Sequence, residues 1–406
     1  MISIGAPYVT KDGGCARLNS RVSIDGYESV VWCEVDGKYS PFLCEERSDA
    51  FLLGFLPYAM QFRHDIQCDA PVTKRLREQL EECFVLPYCT VNPMTYKPRI
   101  FCEVADEVTH GGRGIGTGVS CGVDSLHVFA THPEITHGCV FNMFVRNHVR
   151  DEETRRMLWR NMRIRARRFC DEIGVELVEV DTNFDKGILP DLKYEYHVTY
   201  ANLFAIFALQ KLFSVYYIAS GYGADQLTLN TSIDEDCALY DHILLPAVSL
   251  SKIMIRLWGT ERRIDKVKML VNYPPAMHHL NVCWETECDG KNCTHRCGKC
   301  KRTLLELEAL DAVDKFADVF DVEWYKSHRR EYMLEYYSGV RRCEVYAMEL
   351  QPLLHHKFKM LCLGDRLWIY LHYWGMAAIV SILRNRFIRN LWHFVRDKIL
   401  HRRKNA

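Results

Sequence analysis

Ser120-Cys-Gly-Val-Asp-Ser125 gathers two hydroxyls, a glycine and a carboxylate into six residues, between the glycine-rich run Gly114–Gly118 and the apolar run that follows Ser125. Placed between a strand and a helix, such a turn can aim several backbone N–H groups at one point. The helix dipole then adds to them, forming an anion nest. Ser120 and Ser125 supply hydroxyls, Gly122 and Val123 supply approachable backbone, and Asp124 can orient the loop or contact Mg2+. The string is not a Walker A loop, because the Gly-Lys-Ser/Thr is missing. It is not the dinucleotide fingerprint either: Gly116 and Gly118 fit its first two glycines, but position 121 is Cys. The competing reading is a plain glycine-rich turn before a helix.

A second group lies in 281–310, where Cys283, Cys288, Cys293, Cys297 and Cys300 fall among Asp, Gly, Lys and Asn. Cys297-Gly-Lys-Cys300 is a tight knuckle whose thiolates can share one ion. Cys293 and Cys283 complete a tetrahedral sulfur site, with Cys288 and His295 in reserve. Buried reduced cysteines are the alternative, but the polar surroundings argue for zinc. Four thiolates leave no open position, so that zinc would be structural.

Other candidates lie where strands are expected to end. Asp181, Thr182 and Asn183 close "VELVEVDTN" and suit a ribose or substrate, or an Asx turn. Asp225 sits in "SGYGADQL". His197 opens the apolar helix "YEYHVTYANLFAIF" as a cap or a core residue. Lys252, in "LSKI", reads as a solvated helix-start lysine.

The elements that must position these groups follow from pattern. Strand-like runs at 139–145, 175–183 and 215–221 alternate with helical ones at 151–173 and 197–213. This predicts an α/β fold with a parallel sheet and helices on both faces. Ligands of such sheets sit beyond the carboxyl ends of the strands, so Ser120–Ser125, Asp181–Asn183 and Ser220–Asp225 should share one rim. Residues 1–105 read as a small α+β module. It holds a strand at Val30–Val35, a helix from "SDAFLLGFLPYAMQF" capped by Ser48 or Asp49, and a helix "KRLREQLEECF" capped by Thr73. A further strand is expected near Arg99 to Val104. The central domain would run 106–310, and 311–406 is helical in character.

Composition sets the bounds. The chain has 406 residues, 48% hydrophobic and 26% charged, with a formal net charge of zero, so the molecule as a whole carries no bias toward nucleic acid. The 18 cysteines in so long a chain point to a reduced, cytoplasmic interior rather than a disulfide scaffold. No secretory signal opens the sequence. The longest apolar run, Leu367–Leu383, is shorter than the roughly 20 residues a span needs. Residues 384–406 hold eight Lys/Arg against Asp397, with Phe387, Ile388, Leu391, Phe394, Val395 and Ile399 at helical spacing. That tail reads as a basic amphipathic helix for an anionic membrane surface, or as a helix on its own domain with a solvated basic face.

The loop resembles that of the PP-loop ATP pyrophosphatases, whose signature is Ser-Gly-Gly-x-Asp-Ser. Ser120, Gly122, Asp124 and Ser125 match, and Cys121 stands where that family has its first glycine. The cysteine cluster looks like that of the 7-cyano-7-deazaguanine synthase branch. A closer likeness is to bacterial PP-loop proteins ending in a "VCW…NC…C-x-K-C-x-R-T" pattern. Val282-Cys283-Trp284, Asn292-Cys293, Cys297-Gly-Lys-Cys300 and Arg302-Thr303 match, with one extra residue between Cys293 and Cys297. The resemblance covers roughly 70–310 and excludes the tail. It implies an adenine nucleotide alpha-hydrolase-like fold that uses ATP and Mg2+, with Asp225 toward magnesium, Lys252 toward phosphate and a functional histidine near His197.

The function so implied is a ligase-like enzyme. It would adenylate a substrate carboxylate or carbonyl, release pyrophosphate, and let an amine, ammonia or sulfur nucleophile displace AMP. No glutaminase module is expected in the first 105 residues, so ammonia would come from solution or a partner. For sulfur transfer, Cys121 or Cys288 would carry a persulfide. The partners expected are a small-molecule, sugar or peptide substrate, an anionic membrane surface and a second copy of the chain. A nucleotide-binding scaffold without turnover, using the zinc loop and basic tail for partners, is the alternative.

Overall fold

The computed structural model describes residues 1–109, 111–143, 151–185, 193–231, 235–283, 291–294, 297–354, 357, 364–365 and 367–371. The chain forms two compact units that divide between Val282 and Cys283.

In the first unit the strands before the loop are β1 (Ile2–Ile4), β2 (Tyr8–Asp12), β3 (Cys15–Ile24), β4 (Tyr27–Asp36), β5 (Ile66–Cys68), β6 (Val72–Thr73), β7 (Ile100–Phe101) and β8 (Val104–Ala105). Those that follow are β9 (Gly114–Gly118), β10 (His137–Phe141), β11 (Glu176–Thr182), β12 (Phe213–Ala219) and β13 (Met254–Trp258). One sheet of eleven strands runs β13-β12-β9-β10-β11-β4-β3-β1-β5-β7, with β2 on β3, while β6 and β8 form a separate ladder. The five later strands are mutually parallel. Antiparallel pairing of β11 with β4, Asp181 opposite Glu34, carries the sheet on into the first hundred residues. The N-terminal segment thus shares the sheet of the parallel strands.

Helices α1 (Asp49–Phe62), α2 (Lys74–Gln79) and α3 (Leu86–Val91) belong to the N-terminal part, with a π-helical turn at Leu80–Val85 joining the last two. Then come α4 (Val123–Thr131), α5 (Glu152–Ile173), α6 (Tyr194–Ala208), α7 (Asp241–Val248), α8 (Arg263–Leu270) and α9 (Pro274–His279). The core is aromatic where α1 meets α6: Phe51 and Phe204 rings are 5.3 Å apart, Phe55 and Phe184 5.5 Å. Gly116 of β9 lets β12 close in, since a Cβ there would lie 2.6 Å from the Phe213 ring and 2.8 Å from that of Tyr216.

Ser48 and Thr73 both occupy N-cap positions, yet neither caps through its side chain. Ser48 Oγ donates to Ala70 O, and Thr73 Oγ1 donates to the buried Asp49 carboxylate at 2.6 Å. The expected caps instead tie α1 to the chain before α2.

In the second unit, α10 (Gly298–Ala309), α11 (Val322–Arg341) and α12 (Val345–Leu354) pack as a helical group. Glu308 of α10 accepts from Arg329 at 2.6 Å and Tyr325 at 3.2 Å, both on α11. Among the described residues no helix is long and apolar enough to cross a membrane. The tail 384–406 lies outside the described residues.

Candidate functional site

Counted in chain order, the five parallel strands lie 3-2-1-4-5 across the sheet, so the order reverses between β9 and β12. The crevice at such a reversal, beyond the carboxyl ends, is where open α/β sheets receive ligands. The Ser120–Ser125 loop leaves β9 at that point.

Val119 N–H still donates to Cys139 O at 2.7 Å, holding the chain to β10. Residues 120–122 then turn, and α4 begins at Val123 with Gly122 as an N-cap that has no side-chain acceptor to offer. The first turn of α4 thus starts without a side-chain cap, at the positive end of the helix dipole. Ser120 Oγ and Ser125 Oγ lie 3.1 Å apart beside it, and Gly122 N–H donates to Ser120 Oγ at 3.2 Å.

Cys121 has φ +57°, in the left-handed region that favours glycine. This explains why a glycine would suit the position. Its carbonyl accepts from Asn281 N–H at 2.7 Å, and Asn281 Oδ1 accepts from Arg165 of α5 at 2.9 Å. The thiol turns inward and is 1% exposed, so it does not narrow the mouth of the loop. Burial pushes it up to about 12, with Arg165 opposing. A buried, protonated thiol is a poor persulfide carrier; Cys288 lies outside the described residues.

The loop meets a residue that the sequence reading passed over. Lys266 of α8 is 2% exposed, and its Nζ donates to Asp124 Oδ1 and to Ser220 O, both at 2.7 Å. Ser220 directly follows β12, so one ammonium joins the two sides of the crevice. Arg263, one turn earlier, places Nη1 3.8 Å from Asp124 Oδ2. Gly259, after β13, has φ +78°, and a Cβ there would lie 3.2 Å from His127 Nδ1 and 3.7 Å from Lys266 Nζ. His127 is buried on α4, its Nε2 3.8 Å from Glu261. Burial holds its pKa below the ordinary value, with Glu261 opposing. The signal for Lys266 was its place in the first helix after a strand's carboxyl end, among Ile264, Val267 and Leu270.

The remaining candidates scatter. Asp225 lies on the same rim, in the turn after β12, with its side chain exposed. Asp181 ends β11, where its Oδ1 accepts from Asn142 Nδ2 at 2.7 Å and from Thr182 N–H at 2.8 Å. Asn183 does not face a ligand: its amide accepts from Trp32 N–H at 2.9 Å and donates to Val30 O at 2.8 Å, extending the β11–β4 pairing by a side chain. His197 is 2% exposed, with Nδ1 3.1 Å from Lys193 O and no partner for Nε2 among the described residues. Burial pushes it down to about 4, so it is neutral at pH 7. Lys252 precedes β13 and therefore sits at the amino end of the sheet, about 16 Å from the rim across five strand residues. Its N–H and that of Ser251 are held by Glu107 at 3.0 Å. Lys252 cannot serve the loop.

The second unit holds the cysteine centre. The Sγ atoms of Cys283, Cys293, Cys297 and Cys300 all lie within 4.8 Å of one another, so they could hold a metal ion. Cys293 and Cys300 are 3.6 Å apart. Zinc–sulfur bonds of about 2.3 Å in a tetrahedron require sulfur–sulfur edges of about 3.8 Å. Cys297 caps α10, its Sγ accepting from Cys300 N–H, while Cys293 Sγ accepts from Cys297 N–H at 3.3 Å. Thr294, at φ +58°, turns the chain within the longer gap after Cys293. Its carbonyl accepts from the Tyr332 hydroxyl at 2.8 Å. Without a cation, burial and then the neighbouring thiols push Cys300 up. Soft, crowded sulfur donors fit zinc. His295 lies outside the described residues.

No protein family, curated protein or solved structure matches the chain. Fold and site together define an α/β protein with an open helix start at the reversal of strand order, and a four-cysteine centre that could bind metal.

Proposed function

We propose that the first unit binds Mg-ATP at the 120–125 loop and works as a PP-loop ATP pyrophosphatase of adenine nucleotide alpha-hydrolase type. The observation that carries this reading is the uncapped start of α4 at the strand reversal, flanked by two hydroxyls and the Lys266 ammonium. Backbone N–H groups of 123–125, with the hydroxyls of Ser120 and Ser125, would hold the β- and γ-phosphates. Lys266 and Arg263 would offset their charge, and Asp124 and Asp225 would offer carboxylates to Mg2+. A substrate carboxylate or carbonyl oxygen attacks the α-phosphorus, the α–β bridge bond breaks, and pyrophosphate leaves. An amine or ammonia then displaces AMP from the adenylate. The protein's share is positioning and charge stabilisation. Sulfur as the nucleophile would need a carrier other than the buried Cys121, either Cys288 or an external donor. Zinc at Cys283, Cys293, Cys297 and Cys300 would brace the start of α10.

Pyrophosphate release from ATP, measured across a panel of acids and amines, tests this reading. Release with at least one pair, lost in Asp124→Ala, supports it. ATP binding with no release under any substrate would favour the nucleotide-binding scaffold instead.

A further inference from the structure

We infer that the tyrosine-lined recess between the last turns of α1 and the first turns of α6 binds an organic ammonium ion, a cation that carries apolar substituents. The inference does not depend on the nucleotide reading above.

The recess measures about 380 Å³ with its open mouth, at the small end of ligand pockets. Pro57 and Met60 of α1 give it apolar walls, and four tyrosines line it: Tyr88 of α3, Tyr196 and Tyr200 of α6, and Tyr240 just before α7. The Tyr88 and Tyr240 rings lie 4.8 Å apart at 57°, and those of Tyr200 and Tyr240 lie 6.5 Å apart at 59°. These rings meet at angles, as the sides of a box do. Buried Phe84 packs on all three, 5.4 Å from Tyr88, 5.5 Å from Tyr240 and 6.4 Å from Tyr200, and so fixes their tilt. Their hydroxyls are already engaged: Tyr88 pairs with Thr231 Oγ1 at 3.1 Å, and Tyr200 donates to Tyr240 at 3.4 Å. What the box offers a ligand is therefore ring surface. Three features then set the sign of the ligand. Aromatic faces carry the negative side of the ring quadrupole and attract cations. Glu235 adds a carboxylate, while no Lys, Arg or His is among the described residues that line the recess. Gln61, also in the lining, lies in the last turn of α1, at the negative end of a helix dipole that no basic residue in that turn offsets. Arg63, which follows, is spent over the Tyr96 ring at 5.7 Å. The chain's own Lys193 sets its ammonium 5.3 Å from the Tyr196 ring, so one wall of the box already takes a cation. A bare divalent ion would need more oxygen ligands than one carboxylate. The aromatic and apolar walls instead suit a cation whose surface is itself partly apolar.

The test is a ligand-observed NMR titration of the full-length protein with choline and with its uncharged tert-butyl isostere, at matched ionic strength. The parent protein should bind the cation about tenfold or more tightly than the isostere. Glu235→Gln, on the exposed lip, should weaken choline binding several-fold and leave the isostere unaffected. Tyr196→Leu should weaken choline binding as well, and Tyr196→Phe, which keeps the ring, should retain it. Thermal melts verify that each variant is folded. Equal affinity for cation and isostere overturns the inference, as does parental choline affinity in Tyr196→Leu. Absence of choline binding by the folded parent protein at tens of millimolar overturns it too.

Discussion

Cys121 shows how a single residue can depart from a motif without closing it. The position requires φ +57°, which glycine adopts freely and a β-branched residue adopts with most strain. Cys121→Gly should fold and keep nucleotide binding, whereas Cys121→Val should lose about 2 kcal/mol or more in denaturant melts. Equal stability of the two variants would contradict the left-handed turn. Native-state alkylation gives a parallel check: the exposed Cys83 and Cys343 should react, and Cys121 should stay protected. His197 carries the pH prediction. Burial lowers its folded pKa to about 4 from an ordinary 6.5, so between these values the unfolded chain binds the proton and the folded one does not. Stability is full above pH 6.5 and falls as pH drops toward 4, by about 3 kcal/mol from this group. His197→Gln should flatten that part of a urea-melt pH profile. An unchanged slope would place the acid sensitivity elsewhere.

At the scale of elements, the alternation of β-rich and helical runs placed β10, β11 and β12 and the turn before α4, whereas β13, just after Lys252, went unread. Local residue types carry such information, because a glycine-rich strand followed by a helix start needs only neighbours in sequence. What sequence did not reveal depends on pairing between distant segments. Asn183 looked like a rim ligand because it ends a strand, but its amide completes the ladder to Val30 and Trp32, some 150 residues earlier. Lys252 looked like the phosphate lysine, yet a parallel strand puts its preceding residue at the far end of the sheet. Lys266, one strand and about one turn of helix later, comes back to the rim. Two substitutions separate these roles. Lys252→Ala should leave nucleotide affinity unchanged. Asn183→Ala should cost about 1–2 kcal/mol of stability by leaving two backbone groups of β4 unpaired, with affinity retained. Loss of affinity in Lys252→Ala would overturn the strand polarity argument.

For the whole molecule, the two compact units carry two different candidate sites. In the second unit the knuckle was legible from spacing alone, since Cys297 and Cys300 must share the first turn of one helix. The place of Cys293, behind a longer gap, depended on the left-handed Thr294. Purified protein should contain about one zinc per chain by elemental analysis. Cys297→Ser or Cys300→Ser should lose that metal and lower the melting temperature. Full stability with no bound metal would mean that the four thiols are a packed core. The net charge of zero conceals local sign, which matters most at the loop, where Lys266 and Arg263 face Asp124.

The central claim is that the start of α4 receives a triphosphate. Titrating the intact protein with ATP and Mg2+ in a calorimeter addresses it most directly. A saturable one-to-one isotherm that disappears when Ser120 and Ser125 are both replaced by alanine is the predicted result. A flat trace from folded, zinc-loaded protein at millimolar ATP would contradict it.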